Sequence, residues 1–317
     1  MEKIDKPGVY DIDMETYHGD CCDGPSISSS GLRTIESLSP GHYFAFSYLN
    51  PNREESPSRA FDFGRAAHCL LLGDEVFSKA FIVPPFSGPY NRNEDGWKAG
   101  EKREWKEDQE GRGLTVLRHE DIKQIEAMRT QLDADPLVRN GLFQGEVEKS
   151  IIWRDQETGV WLKARPDVIP EVLGKAVDDT LADYKTTVDA RSHRIDRSMV
   201  DYTYAQQLAL CAEGLWETRR QIIRCFVLVF QEKAPPYAVV TQEVSADWIW
   251  RGAQLNRRAI RTFAKCVETG DWPTFPLPPP AVVPKWLHDR LQAEEDAGLL
   301  PAAPEWCEQI KKVEQAA

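Results

Sequence analysis

Up to residue 134 the apolar positions recur mostly at helical spacing. Ser28-Ser29-Ser30-Gly31-Leu32 opens a helix with a serine as N-cap, and a second helix follows at about 40–48. Ala60 to Leu72 reads as an amphipathic helix closed by Gly73, and residues 119–134 read as another. Residues 1–25 read as an irregular arm with one short strand. Residues 88–113 are polar and charged, with Trp97 and Trp105 as the main apolar positions, which fits a solvated helix or a mobile insertion. The rhythm then changes. Val147 to Trp153, Val160 to Arg165 and Val177 to Thr186 are short and rich in β-branched and aromatic residues, the pattern of strands, with Gln156-Glu157-Thr158-Gly159 as a turn. A helix follows from about Tyr202 to Trp216. Strands at 222–231 and 237–243 are joined by Ala234-Pro235-Pro236, and a helix at 247–268 ends at Gly270.

The order helices, three strands, helix, two strands, helix predicts an α/β (α+β) domain, a central mixed sheet flanked by helices. The expected divisions are an arm over 1–25, the domain over 26–270, and a proline-rich linker with a helical tail over 271–317. Apolar residues make up 41% of the 317, which is a globular composition. No apolar run approaches the ~20 residues that span a bilayer. The start, Met1-Glu2-Lys3-Ile4-Asp5, has no apolar signal-peptide core, so a cytoplasmic protein without membrane contact is expected. Seven cysteines without a CxxC argue against a disulfide framework or a tight zinc knuckle. The net charge of −12 counts against a nucleic-acid partner. It counts less against an enzyme whose site needs carboxylates. Local basic clusters also exist: Arg251, Arg257, Arg258, Arg261 and Lys265 in one predicted helix, and Arg191, Arg194 and Arg197.

Candidate chemistry concentrates in Arg165-Pro166-Asp167 and Asp183-Tyr184-Lys185, each near the end of a predicted strand. Side chains on a strand alternate faces, so Asp183 and Lys185 share one face and Tyr184 takes the other. If the strand of Asp167 pairs with that of Asp183, two carboxylates and an ammonium converge at one sheet edge. Paired carboxylates suit Mg²⁺, a hard cation that keeps several waters. A lysine beside them can orient or deprotonate an attacking water.

Pro166-Asp167…Asp183-Tyr184-Lys185 resembles the PD-(D/E)XK nuclease signature. Gly64-Arg65-Ala66-Ala67-His68 resembles the helical motif of RecB-type nucleases, in which the histidine ligates metal. Glu148 matches an acidic position of related phage exonucleases. Tyr204-Ala205-Gln206-Gln207 resembles the later glutamine motif, although Cys211 stands where that motif has tyrosine. Order and spacing from about Tyr17 to Gly270 look most like the RecE-type exonuclease domain of phages and prophages. The resemblance implies a restriction-endonuclease-like fold and 5′ to 3′ digestion of linear duplex DNA that leaves 3′ overhangs for recombination. It further implies a single-strand annealing recombinase as partner and a toroidal homo-oligomer, a trimer or tetramer. By the same resemblance Asp167, Asp183, Lys185, Glu148 and Gln207 are catalytic. His68, Asp167, Asp183 and the Tyr184 carbonyl hold Mg²⁺, with Mn²⁺ as a substitute. Ser28, Ser30, Arg33, Arg65 and Tyr204 are expected to contact DNA, and Arg251, Arg258 and Arg261, spaced for one helical face, are expected to follow its phosphates.

Each residue also has a plainer reading. His68 fits a hydrogen-bonded core histidine, Asp167 a turn cap, and Asp183 with Lys185 a surface ion pair worth under ~1 kcal/mol. The serines fit a helix cap, Glu148 an edge-strand solubility charge, and the arginine-rich helix a solvated face. A structure-selective endonuclease and an inactive nuclease-fold DNA-binding module remain alternative functions at this stage.

Overall fold

The described residues form the strands β1 (Gly8–Tyr10), β2 (Ser26–Ser28), β3 (Phe81–Ile82), β4 (Thr115–Val116), β5 (Gly145–Val147), β6 (Ser150–Arg154), β7 (Trp161–Ala164), β8 (Val168–Pro170), β9 (Thr180–Thr187), β10 (Cys225–Glu232) and β11 (Val239–Glu243). The helices are α1 (Met14–His18), α2 (Ser29–Ser37), α3 (Pro40–Phe46), α4 (Ala99–Gly111), α5 (His119–Leu132), α6 (Pro136–Arg139), α7 (Ser192–Asp201), α8 (Tyr204–Arg219), α9 (Ala246–Thr269) and α10 (Lys285–Asp296). This computed structural model describes residues 2–53, 66, 77–78, 80–93, 96–170, 179–275 and 281–307. The expected helix from Ala60 to Leu72, and with it Arg65 and His68, lies outside the described residues.

Two ladders carry the fold, and both are mixed. One sheet runs β1-β6-β7-β2, with β6 antiparallel to both β1 and β7, and β2 parallel to β7. The other runs β11-β10-β9, with β9 parallel to β10 so that Asp183 stands beside Leu228. The fold is thus mixed α/β, as the element order predicts. The main core gathers Ile151, Trp153 and Leu162 from the first sheet, Leu181, Leu228 and Phe230 from the second, Leu208 and Leu215 from α8, and Ile260 and Phe263 from α9. The opposite face of β9 and β10 packs Ala182, Tyr184, Val227 and Val229 against Leu132 and Leu142. Burial on both faces explains why Cys225 to Phe230 reads as a continuous apolar run.

Three expectations change. The arm over 1–25 holds the expected short strand, β1, which joins the first sheet, and also an unexpected helix, α1, capped by Asp13, whose Oδ1 accepts from the Thr16 N–H at 2.7 Å. The strand expected from Val147 splits, because Glu148 has a φ of 54° and breaks the extended path between β5 and β6. The strand after Asp167 does not ladder with β9. β8 pairs antiparallel with β5, and Asp167 reaches β9 through its side chain instead. Trp97 and Trp105 pack around Phe86, which holds the start of α4, with centroids at 4.9 and 5.5 Å. Beyond the unit Met1–Thr274, the stretch Phe275–Ala317 forms a second unit that contains α10. Among the described residues no helix is long and apolar enough to cross a membrane.

α8 and α9 touch backbone to backbone at Gly252. A Cβ there would lie 2.4 Å from the Ala205 carbonyl oxygen and 2.5 Å from its carbon. Neither atom can rotate away, so the helices would have to part. Gly252→Ala is therefore expected to destabilise the protein by ~1–3 kcal/mol in urea unfolding. Gly100→Ala in α4, where nothing lies within 4 Å, should be neutral or stabilising by up to ~1 kcal/mol.

Candidate active site

β9 carries the candidate catalytic side chains toward α8. Strand alternation sends Ala182 and Tyr184 into the second core and leaves Asp183 and Lys185 on the face that α8 covers. The Tyr184 hydroxyl donates to Gln231 Oε1 at 2.6 Å, which pins the residue that lies between Asp183 and Lys185. Asp183 is 3% exposed. Its Oδ1 accepts from Gln207 Nε2 at 2.7 Å, and its Oδ2 lies 2.5 Å from Lys185 Nζ. That second contact is a charge pair rather than a well-directed hydrogen bond. Lys185 Nζ in turn donates to Gln207 Oε1 at 3.2 Å, which closes a triangle of carboxylate, ammonium and amide. The ring of Tyr204 lies under the ammonium, 5.0 Å from Nζ to the centroid.

Asp167 enters from the loop between β7 and β8. It is buried, and its Oδ2 accepts from the Tyr184 N–H at 2.7 Å. Its carbonyl accepts from the Glu148 N–H at 3.1 Å. Arg165 braces the same loop by donating from Nε to the Glu148 carbonyl at 2.7 Å and from Nη2 to the Ile12 carbonyl at 2.6 Å. The Glu148 side chain pairs with Arg165, with Oε2 at 3.5 Å from Nε. Glu148 is thereby linked to Asp167 through backbone and arginine. Cys211, one turn after Gln207 on α8, is wholly buried. Burial pushes its thiol up, and the charges of Asp183 and Asp167 push in the same direction. It packs as a neutral thiol where the resembled motif has tyrosine.

Arg33 also reaches this region. Its Nη1 donates to the Tyr202 carbonyl at 3.0 Å, and its Nε has no hydrogen-bond partner among the described residues. Burial holds the guanidinium below its ordinary value, with the negative charge of Asp183 as the main opposing influence. Of the two adjacent glutamines, Gln206 is structural. Its Nε2 donates to Asn256 Oδ1 at 3.2 Å, and Asn256 Nδ2 donates to the Gln206 carbonyl at 2.8 Å.

Ser28 caps α2, its Oγ accepting from the Gly31 N–H at 3.4 Å and lying 2.9 Å from Ser30 Oγ. Both hydroxyls line a cavity of about 380 Å³ that also includes His18, Tyr48, Arg53 and Lys163. Lys163 is 2% exposed. Its ammonium donates to the Gly19 carbonyl at 3.2 Å and lies over the rings of Tyr17 and Tyr48. No carboxylate among the described residues pairs with it, and burial holds its pKa down. Sequence reasoning gave Lys163 no role. The available signal was a lysine in the middle of an otherwise buried strand, four residues before Asp167.

The structure does not bring Arg251, Arg258 and Arg261 to the Asp183 cluster. Arg251 pairs with Asp247, Arg258 with Glu36 and Arg261 with Glu157. Among the described residues no group of three or more His, Cys, Asp or Glu could hold a metal ion.

Against known proteins, no curated protein matches the chain. A crystal structure from Eubacterium rectale, of a protein provisionally named an exonuclease, aligns with a TM-score of 0.49 at 14% identity. That alignment covers 85% of this chain and 97% of the other. A family model described as a PDDEXK-like domain of unknown function (DUF3799) matches residues 28–275, most of the chain and all of the Asp167–Gln207 region. The chain therefore belongs to this PDDEXK-like family.

Proposed function

We propose that the chain is a metal-dependent nuclease of RecE type that digests linear double-stranded DNA from 5′ ends and leaves 3′ overhangs for an annealing recombinase. In this reading it acts in the cytoplasm of a phage- or prophage-bearing cell, as a toroidal oligomer. The observation that carries the catalytic part is the triangle of buried Asp183 with part-buried Lys185 and Gln207 beside Asp167. An ion pair kept for solubility would sit in water. Here the carboxylate is almost wholly desolvated, at a cost that a merely structural role does not explain.

PDDEXK nucleases generally depend on a divalent metal, and the donor set fits a hard one. Two buried carboxylates and a nearby backbone carbonyl at Tyr184 are oxygen donors. Mg²⁺ commonly takes one or two carboxylates and keeps its remaining waters, so a third protein ligand is not required. His68 stays a proposed further ligand, and Mn²⁺ a proposed substitute. When bound, the cation neutralises phosphate charge and acidifies a coordinated water.

The chain's own groups do the rest. The Tyr184 N–H holds one oxygen of Asp167 and so sets the direction of the other. Gln207, donating to Asp183 and accepting from Lys185, fixes both end groups relative to each other. The Lys185 ammonium can then donate to a phosphoryl oxygen or order the attacking water. Glu148 acts through the Arg165 brace on the Asp167 loop. For the DNA end, we assign the terminal phosphate to the cavity of Ser28, Ser30 and Lys163. A buried ammonium without a carboxylate is completed by an anion, and the hydroxyls add donors. Arg33 and Arg65 are proposed to contact the strand nearby. The ion pairs of Arg251 and Arg261 are exposed on both sides, so a passing phosphate can replace their carboxylates at little cost, whereas Arg258 holds the largely buried Glu36.

Four outcomes check this reading. Asp167→Ala, Asp183→Ala and Lys185→Ala should each reduce Mg²⁺-dependent digestion of linear duplex by at least ~10²-fold while far-UV circular dichroism stays unchanged. Closed circular duplex should resist the wild type, and efficient cutting of it would identify an endonuclease instead. Wild type should prefer 5′-phosphorylated over 5′-hydroxyl ends, and Lys163→Met should remove that preference without loss of stability. A preference that survives Lys163→Met would move the phosphate site elsewhere. Gln207→Glu places a carboxylate against Asp183. Repulsion and burial raise the pKa of the new pair above the unfolded value of ~4, so the folded state is penalised once the pair must ionise. Relative to wild type, the unfolding free energy of this variant should fall as pH rises from about 4 to 8, whereas Gln207→Met should show no such slope.

A further inference from the structure

Tyr202 and Tyr204 stand two residues apart at the junction of α7 and α8. On a continuous helix, residues at that spacing do not face each other. Here the rings stack, with centroids 5.6 Å apart and planes at 23°. The cause is Thr203, whose φ of 50° lies in the left-handed region and turns the chain between them. A β-branched residue rarely adopts that conformation. No side-chain capping bond at Thr203 offsets it. Strain of this kind persists where the surroundings impose it, and it gathers at functional sites. Arg33 supplies part of the constraint by donating to the Tyr202 carbonyl.

The stack is graded from inside to outside. Tyr204 is half-buried under the Lys185 ammonium, and its ring also meets Phe230. Tyr202 covers Tyr204 on one side and is itself 60% exposed. A flat apolar ring is thus held out in solvent, one ring away from the Asp183–Lys185–Gln207 triangle. Arg33 and Lys185 place two cationic groups along the same path. A nucleobase attached to a phosphate fits both features. Its flat face stacks on an aromatic ring regardless of sequence, and its phosphate follows the positive charges.

We propose that Tyr202 is a stacking platform for a nucleobase of the strand being cut, next to the phosphate held at the Asp183–Lys185–Gln207 triangle. The assignment rests on the nuclease reading above and adds the group that grips the substrate base. Tyr204 supports the platform from beneath and ties its position to Lys185. Thr203 acts as a positioning residue, since it fixes the angle between the two rings.

The test uses the full chain with Ca²⁺ in place of Mg²⁺, and DNA carrying 2-aminopurine at successive positions near the 5′ end. Binding is read by anisotropy and stacking by 2-aminopurine quenching. Tyr202→Ala should weaken binding roughly tenfold, the size of one lost base–aromatic stack. It should also abolish quenching at one position. Tyr202→Phe and Tyr202→Trp should retain both signals. Trp250→Ala, which removes another exposed aromatic, on α9, should behave as wild type. Unchanged binding and quenching in Tyr202→Ala would overturn the platform, as would a Tyr202→Phe defect equal to that of Tyr202→Ala. If the wild type cuts DNA in Mg²⁺ while Tyr202→Ala is indifferent, only the platform fails. If the wild type neither binds nor cuts DNA, the nuclease reading fails and the platform with it.

Discussion

The contact of α8 with α9 at Gly252 governs the arrangement of the site. At that point the two backbones approach too closely for any side chain, and the buried Gln206–Asn256 pair locks the rotation of α8. With α8 fixed, one of its faces meets β9. Tyr204, Gln207 and Cys211 lie along that face, each opposite a different part of the Asp183 cluster. A helix free to slide would blur these contacts, and displacements of about 1 Å are enough to spoil reactive geometry. Gly214 repeats the device lower on the same helix, where Trp153 and Ile151 leave no room for a Cβ.

Electrostatics then explains why these residues are together at all. Asp167 and Asp183 are both buried, and an unsupported carboxylate in that environment would protonate rather than stay charged. Support comes from several directions: the Tyr184 N–H for Asp167, and the Gln207 amide and Lys185 ammonium for Asp183. Arg33 adds positive charge from α2. The arrangement holds negative oxygen close to positive nitrogen without cancelling either, which is what a site for a cation and a phosphate requires.

The overall charge of −12 takes on a local meaning in this light. Many of the acids are spent on arginines: Asp155 and Glu213 on Arg257, Glu36 on Arg258, Glu157 on Arg261. The stripe that looks basic on a helical wheel of α9 is therefore close to neutral where it stands. A lysine that no carboxylate among the described residues pairs with is instead Lys163, hidden in a strand interior. A count of charges along the chain cannot separate these cases, because pairing depends on what faces each arginine across the fold.

Periodicity alone determined much of this protein. Strand period two placed Asp183 and Lys185 on one face and Tyr184 on the other, and turn and cap chemistry set the starts of α2 and α9 and the end of α9 at Gly270. The mixed α/β class followed from the order of the elements. These are local properties, decided by sterics and hydrogen bonding within a few residues. The tertiary structure decided the rest. Asp167 meets β9 through a side-chain bond to the Tyr184 N–H and not through a ladder, a distinction invisible to strand propensity. The left-handed backbone of Glu148 and Thr203, the splitting of Gln206 from Gln207 into support and site, and the stacking of Tyr202 on Tyr204 all arise from contacts between distant segments. Such conformations are disfavoured locally and persist only because packing elsewhere imposes them. For that physical reason a pattern read along the chain could put Asp183 and Lys185 on one strand face but could not name the groups they meet.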